Sequence, residues 1–89
     1  MVSREAPLLK PVAVAIAEIY VPAALRKTLD AAKVAAIAES VLEKGQETPI
    51  QVRRDGERYV LVTGLHRLEA LKALGEATVE ALIVRARRH

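Results

Sequence analysis

The chain has no cysteine, no tryptophan and no phenylalanine, and its only aromatic residues are two tyrosines. Without cysteine there is no disulfide framework, thiolate zinc site, iron–sulfur cluster or cysteine nucleophile. The two histidines, His66 and His89, stand far apart in sequence, so no metal site is expected. No long hydrophobic run occurs either. Val12 to Ala17 is far too short to span a bilayer. Glu18 closes that run before a secretory signal can form. No membrane partner is expected, and a cytoplasmic protein is the default. Glycine and proline are scarce, at four each, while 52% of residues are apolar. That composition excludes a disordered chain.

What is present fits one small folded unit of 89 residues. A chain of this size buries only about 60–65% of its unfolded surface, so its core is economical and rich in alanine. The formal charge is +3, from 14 basic and 11 acidic side chains. Arg85, Arg87 and Arg88 account for all of it, which leaves 11 basic against 11 acidic residues before them. The body is therefore formally neutral and carries a short basic tail. Such a tail reads as a solvated end or as a contact to nucleic-acid phosphates.

Residues 1–11, with Pro7 and Pro11, read as a flexible leader. Val12 to Ile16 alternates as a buried strand does, and β-prone residues continue to Val21 before Pro22 stops them. Asp30 is a good N-cap for a helix. Val34, Ile37, Ala38, Val41 and Leu42 follow on one face, and Gly45 ends it. Pro49 to Arg53 and Arg58 to Val62 form two strands about the Asp55-Gly56 turn, so residues 49–63 predict a β-hairpin. A second helix starts near Leu65 or His66, buries Leu68, Ala70, Leu71 and Leu74, and stops at Gly75. Thr78 to Val84 is a final strand, covered on both faces from Ala81. The order β-α-β-β-α-β predicts a compact α+β fold with a small mixed sheet.

Thr63-Gly64-Leu65-His66-Arg67 lies where a strand runs into a helix. A helix N-terminus offers free N–H groups and the positive end of the peptide dipole. Gly64 lets the backbone turn sharply. Arginine presents a planar fork that matches phosphate oxygens. The segment reads as an anion site, most plausibly for phosphate, with an ordinary turn and cap as the plain alternative. Cations in a first helical turn are mildly unfavourable, by a few tenths to about 1 kcal/mol, and a bound anion would offset that. Lys33, in the first turn of the earlier helix, repeats the pattern, or is simply a surface lysine.

Gly64-Leu65-His66-Arg67-Leu68-Glu69-Ala70 resembles the Gly-Cys-His-Arg-Tyr-Glu-Ala segment of sulfiredoxins and the Gly-Glu-Arg-Arg segment of ParB partition proteins. Leu29-Asp30-Ala31-Ala32-Lys33-Val34 is similar to the sulfiredoxin Leu-Asp-Pro-Ala-Lys-Val. Pro49-Ile50-Gln51-Val52 resembles a strand that both branches share, and Leu74 to Val79 continues the likeness. The resemblance to the ParB/sulfiredoxin superfamily covers roughly residues 12–84, taken as the domain, with 85–89 as the basic tail. It implies binding of a nucleoside triphosphate, ATP or CTP, with or without magnesium. It carries Lys33, Ser40, Gly64, His66 and Arg67 over as phosphate ligands, with Leu65 through its backbone. Thr63 joins them from its position beside the turn. The family's other helix hydroxyl falls on Ala36.

The departures from the family pattern are informative. The sulfiredoxin cysteine is replaced by Leu65, which excludes sulfinic-acid reduction through that residue. The family's arginine ahead of the first helix is missing, with Arg26 and Lys27 nearby as stand-ins. The acidic position of Gly-Glu-Arg-Arg is also Leu65, and no helix-turn-helix is expected within these residues. Asp30, Glu39, Asp55 and Glu69 form no recognisable hydrolytic motif, so no catalytic residue is assigned. The expectation is a nucleotide-binding module, with phosphoryl transfer or nucleotide hydrolysis open. A DNA-associated protein using Arg85, Arg87 and Arg88 is one alternative. A non-catalytic interaction domain, such as a homodimer packed through its alanine-rich helix, is another.

Overall fold

The computed structural model describes residues 10–46 and 48–85. Most of the leader, and Arg87 and Arg88 of the tail, lie outside the described residues. The elements are β1 (Val12–Ala15), β2 (Ile19–Tyr20), α1 (Ala23–Arg26), α2 (Ala31–Lys44), β3 (Ile50–Asp55), β4 (Arg58–Thr63), α3 (Leu65–Ala73) and β5 (Thr78–Ile83). The five strands form one mixed sheet in the order β1-β5-β3-β4-β2. β1 with β5 and β3 with β4 are antiparallel, while β5 with β3 and β2 with β4 are parallel. The expected α+β class holds.

The first β region departs from expectation. It is two strands on opposite edges of the sheet, joined by a single 3-10 turn over Ile16–Glu18. Four strand spacings separate those edges, roughly 19 Å on a flat sheet. The four residue steps from Ala15 to Ile19 reach at most about 14 Å. The sheet therefore coils until its edges approach. The Ile16 N–H donates to Ala77 O at 3.0 Å, one position beyond the Ala15–Thr78 pair, so pairing with β5 runs to the 3-10 turn and stops there. Of the expected buried strand only Val14 is buried, and Val12 is 43% exposed.

The hairpin is as expected, with Asp55 paired to Arg58 across the turn and Gly56 at φ 65°. Both tyrosines sit at this end of the sheet beneath guanidinium groups, Arg54 over Tyr59 and Arg58 over Tyr20. Ile50, Val52, Leu61, Val79 and Ala81 of the sheet meet Leu65, Leu68 and Leu71 of α3 in the core. Burial of these apolar side chains is the main stabilising term, at about 1.5–3 kcal/mol each. In β5, Val79 and Ala81 are buried while Leu82 and Ile83 are only half-buried, so full cover on both faces is not observed. Leu74, expected in the buried stripe, is half-buried at the end of α3. The Gln46 side-chain amide acts as a substitute strand residue. Its Nε2 donates to Glu80 O and its Oε1 accepts from Glu80 N–H, at 3.0 and 2.8 Å.

α2 starts and stops where its caps predict, between Asp30 and Gly45. Its apolar stripe is not core, however. None of its residues is buried, and Leu42 is 72% exposed. Periodicity shows that one face of a helix is apolar, but not how much of that face is covered.

Candidate functional site

β4 ends at Thr63 and α3 begins at Leu65, so a single residue makes the turn. Gly64 has φ 105° and ψ 27°, a left-handed conformation that favours glycine. A Cβ there would lie 2.6 Å from Ile50 Cγ2 and 3.1 Å from the Ile50 backbone. Two independent constraints thus require glycine at this position. No side chain caps α3. The first paired amide is Leu68, which donates to Gly64 O at 2.9 Å, so the N–H groups of Leu65, His66 and Arg67 have no carbonyl within the helix.

The second helix start lies beside the first. Asp30 Oδ1 accepts from the N–H groups of Ala32 and Lys33 at 2.9 and 3.5 Å. The Asp30 N–H itself donates to His66 Nε2 at 3.0 Å. This bond joins the second residue of α3 to the N-cap of α2 across 36 residues of sequence. Further along, Val34, Ala35 and Ala38 of α2 line one groove with Glu69, Lys72 and Ala73 of α3. The helices therefore run with their N-termini together. Each end carries about half a positive charge; the Asp30 carboxylate offsets that of α2, so the uncapped positive end of the pair is that of α3.

The expected site residues divide into those near this junction and those away from it. Gly64, His66 and Arg67 belong to the turn and the first turn of α3, and Lys33 to the first turn of α2. Arg67 is half-buried and Lys33 exposed, and among the described residues neither forms an ion pair. The Leu65 side chain is 6% exposed and packs in the core, so it can offer only its backbone N–H. Thr63 is exposed at the end of β4, paired with Gln51. Ser40 is exposed on α2, two turns and about 10 Å of helix beyond Lys33, and is not drawn to the junction. Ala36, also exposed, offers no hydroxyl.

A hollow of 260 Å³ beside the turn is lined by Val21, Arg26, Leu29, Leu65, Glu69 and Lys72. Arg26 Nη2 donates to Val21 O at 3.2 Å, which fixes its side chain on this hollow. Sequence reasoning had Arg26 only as a nearby stand-in. It missed the acceptor role of His66, although a lysine three residues after the N-cap leaves the cap's own N–H without a local acceptor. Among the described residues, no three His, Cys, Asp or Glu side chains gather as ligands for one metal ion, and no helix is long and apolar enough to cross a membrane.

A family model described as the ParB N-terminal domain matches residues 5–89. No curated protein sequence matches the chain. Among solved structures, sulfiredoxin from Arabidopsis thaliana is similar over 90% of this chain and 88% of its own, with 28% identity and a TM-score of 0.77. The C-terminally truncated chromosome-partitioning protein ParB from Caulobacter crescentus, complexed with CTP-gamma-S, is similar over 86% of this chain, with 25% identity and a TM-score of 0.75. A free serine kinase in complex with AMP shares the fold over 85% of this chain, with 21% identity and a TM-score of 0.71. This chain spans 45% of that ParB and 31% of that kinase.

Proposed function

The chain belongs to the ParB N-terminal domain family, and from that premise we propose that it binds a nucleotide by its phosphates at the paired N-termini of α2 and α3. The observation that carries the reading is the His66–Asp30 bond, which holds two uncapped or half-capped helix starts side by side. The free N–H groups after Gly64 cradle phosphate oxygens. Arg67 supplies a bidentate fork, and Lys33 adds a compact charge from the other helix. Arg26 lines the adjoining hollow and is the third cation of the site. Ser40 and Thr63 stand outside this inner set, within reach of a longer ligand only. The CTP-gamma-S complex of the similar ParB supports a nucleoside triphosphate as the ligand class. Magnesium, where used, is held mainly by the phosphates themselves. Phosphoryl transfer or hydrolysis is the finer form of the reading, and it rests on positioning and electrostatics more than on a dedicated base.

The test is a thermal-shift panel of ATP, ADP, CTP and GTP, with and without magnesium, on the wild type and Arg67→Ala. A nucleotide at 100 times its Kd stabilises the fold by about 2.7 kcal/mol. For a domain of this size that is a rise in Tm of roughly 10–20 °C. The expected result is such a rise with one nucleotide in the wild type and none in Arg67→Ala. The free variant melts within about 0.5 kcal/mol of wild type, because Arg67 has no ion pair among the described residues to lose. No shift with any nucleotide at millimolar concentration overturns the reading.

A second reading has its own observation. The groove between α2 and α3 is open, apolar and 560 Å³ in volume, and it continues to exposed Leu29. A second copy packed there would make the protein an interaction domain, with a Tm that rises with protein concentration and ignores nucleotides. DNA association through the basic tail rests on Arg85, Arg87 and Arg88. It predicts steeply salt-dependent DNA binding that is lost on deleting residues 85–89.

A further inference from the structure

Asp30 makes only half of a capping box. Its carboxylate serves the first-turn amides of α2. In the full motif, a Glu or Gln at the third helical position returns an acceptor to the N–H of the cap residue. Here that position is Lys33, which has donors only. The acceptor comes instead from the neighbouring helix, as His66 Nε2 at 3.0 Å. An accepting Nε2 requires a neutral imidazole with its proton on Nδ1. Packing at the start of α2 is light: Val34 is half-buried and no residue of the helix is fully buried.

We propose that His66 is a positioning residue that completes the N-cap of α2 from α3. Supplying the acceptor in trans frees the third helical position for Lys33, the cation that the phosphate site uses. One bond therefore aligns the two helix starts and permits a charge that an ordinary capping box would exclude. The role of His66 in anion binding is indirect: it acts through Asp30 and Lys33 rather than through Nε2 itself. The ligand half of the proposal rests on the nucleotide reading, whereas the cap half does not.

The experiment compares wild type, His66→Ala, His66→Gln and the double variant His66→Ala with Lys33→Glu. Three readouts are taken: imidazole ¹⁵N shifts, amide hydrogen exchange at Asp30 to Val34, and affinity for tripolyphosphate, ATP and CTP. In the wild type the His66 proton resides on Nδ1. In His66→Ala the Asp30 amide exchanges roughly three- to tenfold faster, the factor for one lost hydrogen bond, and affinity falls with it. His66→Gln, which keeps an acceptor, recovers part of both. The double variant rebuilds the capping box within α2, so protection returns while affinity does not. A proton on Nε2, unchanged Asp30 exchange in His66→Ala, or no recovery of protection in the double variant overturns the cap. Absence of binding to every phosphate probe in the wild type, with Asp30 protected as expected, overturns the nucleotide reading alone.

Discussion

α3 and α2 lie side by side and are held in opposite ways. α3 has nine residues and buries Leu65, Leu68, Ala70 and Leu71 against the sheet. α2 has fourteen residues and buries none. Most helices in proteins owe their stability to a packed face. α3 obeys that rule, with a charged first turn and no side-chain cap to help it. α2 instead relies on local means: Asp30 at its start, Gly45 at its end and five alanines between, alanine being the strongest helix former. The stability of the domain therefore resides in the sheet and α3. α2 lies against them through half-buried Val34, Ile37, Ala38 and Val41, and its first turn carries Lys33 at the junction.

That contrast is broken most severely in the core. Leu68→Ala should cost about 2–5 kcal/mol, a large share of the roughly 5–13 kcal/mol expected for 89 residues. Leu42→Ala on α2, by comparison, should stay within about 0.5 kcal/mol. Urea unfolding measures both, and equal losses would erase the distinction between the helices. The glycines that bound the two helices sharpen it next. Gly64→Ala meets both a left-handed backbone and Ile50, so it should cost roughly 2–5 kcal/mol. Gly45→Ala has φ 77° but open space around its Cβ, and should cost about 1–2 kcal/mol. Among the changes at the helix ends, the smallest effect is expected for Asp30→Ala. It should remove about 1 kcal/mol and speed amide exchange in α2 while leaving Leu68 to Leu71 protected.

The parts of the fold legible in the sequence are those with local chemistry. Asp30, Gly45 and the Asp55-Gly56 turn mark α2 and the hairpin to within a residue or two. The split of the first β region was not legible, because β-prone residues stand on both sides of it and Ala17-Glu18 is the one weak interruption. What ends β1 is the 3-10 turn over Ile16–Glu18, after which Ile19 and Tyr20 pair with β4 on the opposite edge. Likewise the apolar stripe of α2 is real, but no local signal tells that Val34, Ile37, Ala38 and Val41 are only half-buried and Leu42 exposed. At the site, the Thr63–Arg67 turn could be read from Gly64 and its neighbours. The inward direction of Leu65 and the bond from Asp30 to His66 could not, since both depend on how α3 sits against partners distant in sequence.

The short link over Ile16–Glu18 has a consequence for self-association. By delivering the chain from one side of the sheet to the other after only four paired residues, it leaves both outer strands very short: four residues in β1, preceded by Pro11, and two in β2. A foreign strand adding to either side would find only a few free backbone groups to copy, which is how natural sheets suppress ordered aggregation. The shortness of these outer strands is thus itself a guard at the margins of the sheet.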